Sequence, residues 1–151
     1  MNLLKYGEFF NLLKTVIISI MEAINKITFA PQLYIKSGVV NIEFYTKAFG
    51  AKELRRFSDD DGSIHVAELS IDGAIFHLHE EKPIAGHYSP ERYNGITTIL
   101  GLFVSDVDLI MNRAIAAGAI VISPAQDYDY GYRQGEIKDP FGHIWLIEMK
   151  I

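Results

Sequence analysis

From Pro31 onward the chain repeats itself, and this repeat restricts the possible fold more than any other feature. The stretch YIKSGVVNIEFYTKAFGAKEL (34–54) matches LFVSDVDLIMNRAIAAGAIVI (102–122). Each copy has a short β-branched and aromatic strand, then a helix with apolar residues at i, i+3, i+4 and i+7, then a small-Gly-small stop. In Phe49-Gly50-Ala51 and Ala117-Gly118-Ala119 the glycine suits the left-handed backbone that ends a helix. Ser105 and Asp106 are N-cap residue types for the second helix. The correspondence continues from GSIHVAELSIDGAIFHLHE (62–80) to YGYRQGEIKDPFGHIWLIE (130–148), with Glu68 set on Glu136 and Gly73 on Gly142. In both, a strand enters a Gly-bearing turn and a second strand returns.

Each half therefore reads strand, helix, strand, strand, strand, which is an α+β pattern of two tandem βαβββ modules. The strands are predicted at 32–36, 52–58, 63–70, 74–79, 96–104, 120–123, 130–138 and 143–149, and the helices at 39–49 and 106–117. The modules occupy about 31–80 and 95–151, joined by EKPIAGHYSPERYN (81–94), whose two prolines and lack of periodicity mark a linker. At 151 residues there is room for one sizeable core and not for two ordinary domains.

Residues 1–28 stand apart from the repeat as an N-terminal helical extension, with Leu3, Leu4, Phe9, Phe10, Leu13, Ile17 and Ile20 at roughly helical spacing. Lys14 and Glu22 leave too short an uncharged run for a signal peptide or a membrane span, so an accessory helix packing on the domain or on a partner subunit is expected. Met21 is an alternative start.

A net charge of −5 with no Lys/Arg run argues against nucleic acid as a partner, and nothing points to a membrane or outside the cytoplasm. The absence of cysteine excludes disulfides, thiolate catalysis and Cys-based metal sites. A nucleophile elbow, phosphate-cradling glycine loop and dinucleotide fingerprint are missing too.

The two modules, NIEFYTKAFGAKEL after the first strand, VSDVDLIMNRAIAAGA after the fifth and DPFGHIW near the end resemble the vicinal oxygen chelate superfamily, which includes glyoxalases, bleomycin resistance proteins and ring-cleaving dioxygenases. Pairing IHVAEL with GYRQGEIKDPFGHIW most resembles its PhnB-like branch. The resemblance covers about residues 31–151. It implies curled sheets around a cavity, a small-molecule ligand and a homodimer, with the modules paired within one chain or swapped between two. The activity stays open, because this fold carries isomerases, dioxygenases, transferases and binding proteins without enzymatic function.

In metal-bearing members, the ligands come from the first and last strands of each module. Carried onto this chain, those positions are Ala30 (or Gln32 with a two-residue slip), His77, Ile99 and Leu146. Ile99 and Leu146 offer no donor, so the usual ligand set is incomplete and no metal or other cofactor is expected. A divalent metal would need a rebuilt site from His77, His79 and Glu148.

His77 and His79 are two apart on one strand and share a face, and either suits proton transfer. His65 and Arg133 each stand three residues before the aligned glutamates, and the PhnB-like pattern places both at the cavity. Arg133 is then a clamp for an anionic or carbonyl group, or else an ion-pair partner of a nearby acid. Phe57, Phe103, Tyr130 and Tyr132 are candidate ligand contacts, while Trp145 is assigned to the core. The stretch SPAQDYDYGYRQG (123–135) is expected to be a loop, either solvated or closing over the ligand as a lid. The favoured function, which the resemblance implies, is metal-independent small-molecule binding of the glyoxalase/bleomycin resistance type, sequestering an antibiotic or a metabolite, with His79 and Arg133 as ligand contacts beside those aromatics. The alternative is a lyase or isomerase with His77 or His65 as base, or a dioxygenase-like metal enzyme.

Overall fold

In the computed structural model, which describes residues 11–18 and 27–151, two four-stranded sheets of identical topology form around one core. The first contains β1 (Gln32–Ile35), β2 (Lys52–Ser58), β3 (Ile64–Ile71) and β4 (Ala74–Glu80) in the order β1-β4-β3-β2. The second contains β5 (Ile99–Phe103), β6 (Ile120–Tyr128), β7 (Tyr132–Lys138) and β8 (Ile144–Lys150) in the order β5-β8-β7-β6. In each, the first strand pairs parallel with the fourth and the other pairs are antiparallel. Residues 11–18 are helical (α1) and solvent-exposed, Leu13 and Ile17 included. The rest of the expected extension up to residue 26 lies outside the described residues. None of the described helices is long and apolar enough to cross a membrane.

The crossovers are α2 (Glu43–Phe49) and α4 (Val107–Ala116), while the short α3 (Pro90–Tyr93) follows a 3-10 turn at Pro83–Ala85 in the linker. Gly50 ends α2 at φ 67°, and its N–H returns to Thr46 O, as the stop motif predicts. Asp106 caps α4 by accepting from the Leu109 N–H at 2.9 Å. The first helix starts later than the predicted residue 39. The Val39 carbonyl is taken by the Ile64 N–H of β3, and the Asn41 side chain turns the chain by accepting from the Glu43 N–H.

The larger departure concerns 123–135, which is no loop: β6 runs to Tyr128 and pairs with β7, leaving a tight turn at 129–131. Gly131, at φ 83°, permits that turn.

Both sheets turn their apolar faces toward α2 and α4, which touch each other between them. Leu33, Ile35, Leu69, Phe76 and Leu78 of the first sheet share a single cluster with Ile137, Trp145 and Ile147 of the second. Trp145 is buried, 4.8 Å from the Phe49 ring and 5.9 Å from that of Phe76, as assigned from the repeat. Because one core takes the apolar face of both sheets, their polar faces point outward, away from each other. The described residues of one chain enclose no cavity between those polar faces.

Candidate functional site

Directly paired residues on neighbouring strands share a face, so the register defines the outward surface of the first sheet. One row runs Arg55, Glu68, His77, Gln32 across β2, β3, β4 and β1, and the next runs Phe57, Val66, His79, Tyr34. Four of the polar members, Gln32, His77, His79 and Glu68, are hydrogen-bonded into one network. The Gln32 amide lies between the two imidazoles, with Nε2 2.5 Å from His77 Nδ1 and Oε1 2.5 Å from His79 Nε2. His77 Nε2 stands 3.2 Å from Glu68 Oε2. The Tyr34 ring is 5.7 Å from that of His79, and its hydroxyl reaches His87 Nδ1 at 2.9 Å. Partial burial, reinforced by His77, Lys82, His65 and His87, lowers the pKa of His79.

The second sheet repeats the rows with different chemistry. Ser123, Glu136, Leu146 and Gly101 replace Arg55, Glu68, His77 and Gln32. Beyond them, Glu148 is buried and accepts from Gln134 Nε2 at 2.7 Å. Phe103 and Tyr132 share this face with ring centroids 6.4 Å apart, and Tyr130, at the turn, donates to Gln134 Oε1. The register resolves the slip in the first strands: Gln32 pairs with His77, and its counterpart is Gly101, not Ile99, which pairs with Ile144. Neither Gly101 nor Leu146 carries a donor. A metal held as in metal-bearing relatives would find Gln32 and His77 at one pair of positions and nothing at the other. The residues present do not fit that metal.

Two sequence-based placements are corrected. His65 does not share the face of His77 and His79. It lies on the other side of β3, with Nδ1 3.6 Å from Glu80 Oε2 at the sheet margin, near Asp59. Arg133 likewise faces α4, where Asp108 takes its Nε and one terminal nitrogen, each at 2.8 Å, and Asp127 takes the other at 2.7 Å. Those carboxylates hold the guanidinium pKa far above its usual range and occupy its fork, so Arg133 clamps a helix to a hairpin. His77, His79 and Phe57 thus lie on one outward surface, Phe103 and Tyr132 on the other with Tyr130 at its turn, and His65 and Arg133 on neither.

Several residues of the site carry no signal in the sequence. Glu68 stands there only as an alignment anchor, yet it is the carboxylate partner of His77. Between the modules, a groove of about 420 Å³ is lined by Tyr34, Tyr88, Tyr93, Thr98 and His143 under the linker. His143 bridges the modules by donating from Nε2 to the Tyr34 carbonyl at 3.0 Å. Burial lowers its pKa, against the opposing pull of Asp139 and the Tyr34 carbonyl. The unfolded chain therefore takes up a proton at His143 before the folded chain does, and stability should fall as pH drops below about 6.5. His79 acts in the same direction. Thermal melts between pH 8 and 5.5 should show a shallower slope for His143→Gln than for the parent, and an unchanged slope would refute the assignment.

A family model described as the Glyoxalase/Bleomycin resistance protein/Dioxygenase superfamily matches residues 31–147. An uncharacterised protein of Mycobacterium bovis is 38% identical over 121 residues, covering 78% of this chain and 80% of that one. An uncharacterised protein of Arabidopsis thaliana is 25% identical over 118 residues, covering 72% and 69%. Among solved structures, an Arabidopsis thaliana gene product superposes with a TM-score of 0.65 at 24% identity, over 82% of this chain and 99% of that one. TioX from Micromonospora sp. ML1 gives 0.58 at 23% identity, over 82% and 99%. At such identities the structural matches speak for the fold alone. With the family model spanning both modules, the chain belongs to the glyoxalase/bleomycin resistance protein/dioxygenase superfamily.

Proposed function

We propose that this protein binds a small organic molecule without a metal, in a cytoplasmic homodimer whose cavity forms where the outward face of the first sheet meets the outward face of the second sheet of another copy. The observation that carries this reading is the contrast between equivalent rows. Gln32 and His77 are bonded to each other, while Gly101 and Leu146 offer a metal nothing. The outward disposition of both faces supports the dimer. Phe57 is 56% and Phe103 65% exposed in the single chain, apolar surface that a second copy would cover. Together the two faces would bring His77, His79 and Phe57 against Phe103, Tyr130 and Tyr132, a polar and aromatic lining suited to an aromatic ligand. Pairing of IHVAEL with GYRQGEIKDPFGHIW supports the PhnB-like branch of the superfamily.

Metal analysis, light scattering and a thermal-shift screen of the purified protein test the proposal. The expected result is a dimer with sub-stoichiometric metal whose melting temperature rises with bleomycin or another aromatic compound. A ligand at about 100 times its Kd adds roughly 2.7 kcal/mol of stability, and a metal chelator should not remove that gain. Stoichiometric Ni, Zn, Mn or Fe would overturn the metal-independent reading, and a monomer at micromolar concentration would overturn the shared cavity.

A further inference from the structure

We propose that His79, set by Gln32, is the side chain of the first sheet that meets the ligand, and that the ligand presents an O–H or N–H donor on an aromatic body to His79 Nδ1. This rests on the outward face being the binding surface. Donors and acceptors can be counted around each ring. An amide nitrogen only donates and an amide oxygen only accepts, so the orientation of Gln32 determines which ring nitrogen of each histidine is protonated.

Two neighbours determine that orientation. Gln32 Nε2 also lies 3.2 Å from the Ala30 carbonyl, which can only accept, so the nitrogen belongs on that side. The same nitrogen then donates to His77 Nδ1, which puts the proton of neutral His77 on Nε2, where it meets Glu68 Oε2. With the amide reversed, His77 would carry its proton on Nδ1 and set a bare Nε2 lone pair against the Glu68 carboxylate. Both contacts therefore favour one arrangement.

His77 thereby has both ring nitrogens engaged. His79 does not: its Nε2–H donates to Gln32 Oε1, leaving the Nδ1 lone pair with no donor among the described residues. With Nε2–H committed to the Gln32 oxygen, that Nδ1 lone pair is the acceptor of the ring. The surroundings set the rest of the ligand. Tyr34 flanks His79 at 5.7 Å, and Val66 and Phe57 continue the same row, giving an apolar margin beside that acceptor. His77 and Glu68 act as positioning residues, holding Gln32 and through it the tautomer of His79.

Long-range 15N–1H correlation spectra of histidine-labelled dimer at pH 8 test the assignment without any ligand. Nε2–H tautomers are expected for both His77 and His79, and a wild-type His79 in the Nδ1–H form overturns the proposal. Gln32→Leu should release His79 into a tautomer mixture, and an unchanged spectrum in that variant overturns the role of Gln32. The ligand arm uses p-cresol and 4-methylanisole, which differ by one O–H donor. p-Cresol should bind about 2- to 10-fold tighter, as one hydrogen bond provides, and should move the His79 Nδ1 resonance. His79→Leu should abolish the preference. Equal binding of the two probes overturns the donor requirement while sparing the binding surface. Binding of neither overturns the surface itself, and the inference with it.

Discussion

Replacing Asp139 with alanine is expected to destabilise the protein by about 4 kcal/mol or more, a larger effect than that of any other single polar substitution proposed for this chain. Asp139 is buried at the start of the DPFG turn, and its two oxygens accept four hydrogen bonds. Oδ1 takes the Phe141 N–H at 2.9 Å and the His143 N–H at 3.0 Å, which shapes the turn. Oδ2 takes the Tyr45 hydroxyl and the Trp145 indole N–H, both at 2.9 Å. Tyr45 comes from α2 of the first module, so this carboxylate ties the modules together inside the core. Burial, with Asp139 beside it, pushes the Tyr45 phenol well above its usual pKa and keeps it a donor. Alanine would strand donors with no solvent to replace the acceptor, and an unsatisfied buried group costs about 1–3 kcal/mol. Asp139→Asn would keep the two backbone bonds but point an amide N–H₂ at the hydroxyl and indole donors, so it should cost roughly half as much as the alanine change. Tyr45→Phe removes a donor together with its bond and should cost only about 1 kcal/mol. Urea unfolding followed at the single tryptophan gives all three values. An Asp139→Ala loss below about 1 kcal/mol would show that the turn and the module junction do not depend on this hub.

The repeat made the fold legible because each copy carries its own punctuation. Gly50 and Asp106 fix helix ends, and the turns at Gly73 and Gly142 fix antiparallel registers. The shared face of His77 and His79 followed from strand alternation, and the core position of Trp145 from its equivalence to Phe76 in the repeat. His65 and Arg133 failed by the same rule. Each stands three residues from its aligned glutamate, an odd step that turns a side chain to the opposite face of a strand, so resemblance overrode parity. The parallel β5–β8 register could not be anchored, because no tight turn joins those strands, and this is why Ile99 stood in for Gly101. The outward orientation of both sheets was beyond reach as well. Which faces the modules share depends on α2 and α4 packing together, and the periodicity of each helix is the same in either arrangement. The linker hid its chemistry for a different reason: its contacts are side-chain bonds between residues with no periodic relation.

Those linker contacts carry the second large effect. Glu81→Ala should lower stability by about 3 kcal/mol, which for a chain of this size is a fall of roughly 6–12 °C in Tm. The Glu81 side chain is fully buried at the end of β4 and organises the segment that leads to the second module. Its Oε2 accepts from the Ser89 N–H at 3.1 Å and the Ser89 hydroxyl at 2.8 Å, and Oε1 takes Arg92 Nε at 2.8 Å. Ser89 is itself fully buried and caps α3, so losing Glu81 removes the acceptor for a buried hydroxyl as well as for a charge. The Arg92 guanidinium, with help from the Ser89 donors and against burial, lowers the Glu81 pKa to about 2. Because the folded pKa lies below the unfolded one, this contribution is complete above pH 4.5 and disappears as pH falls toward about 2. Glu81→Gln keeps the shape and one acceptor but cannot titrate. Its stability should therefore lie below that of the parent at pH 7 and converge on it in acid. Parallel denaturation curves for the two proteins from pH 7 to 3, with a constant gap throughout, would assign the Glu81 contribution to packing and not to its charge.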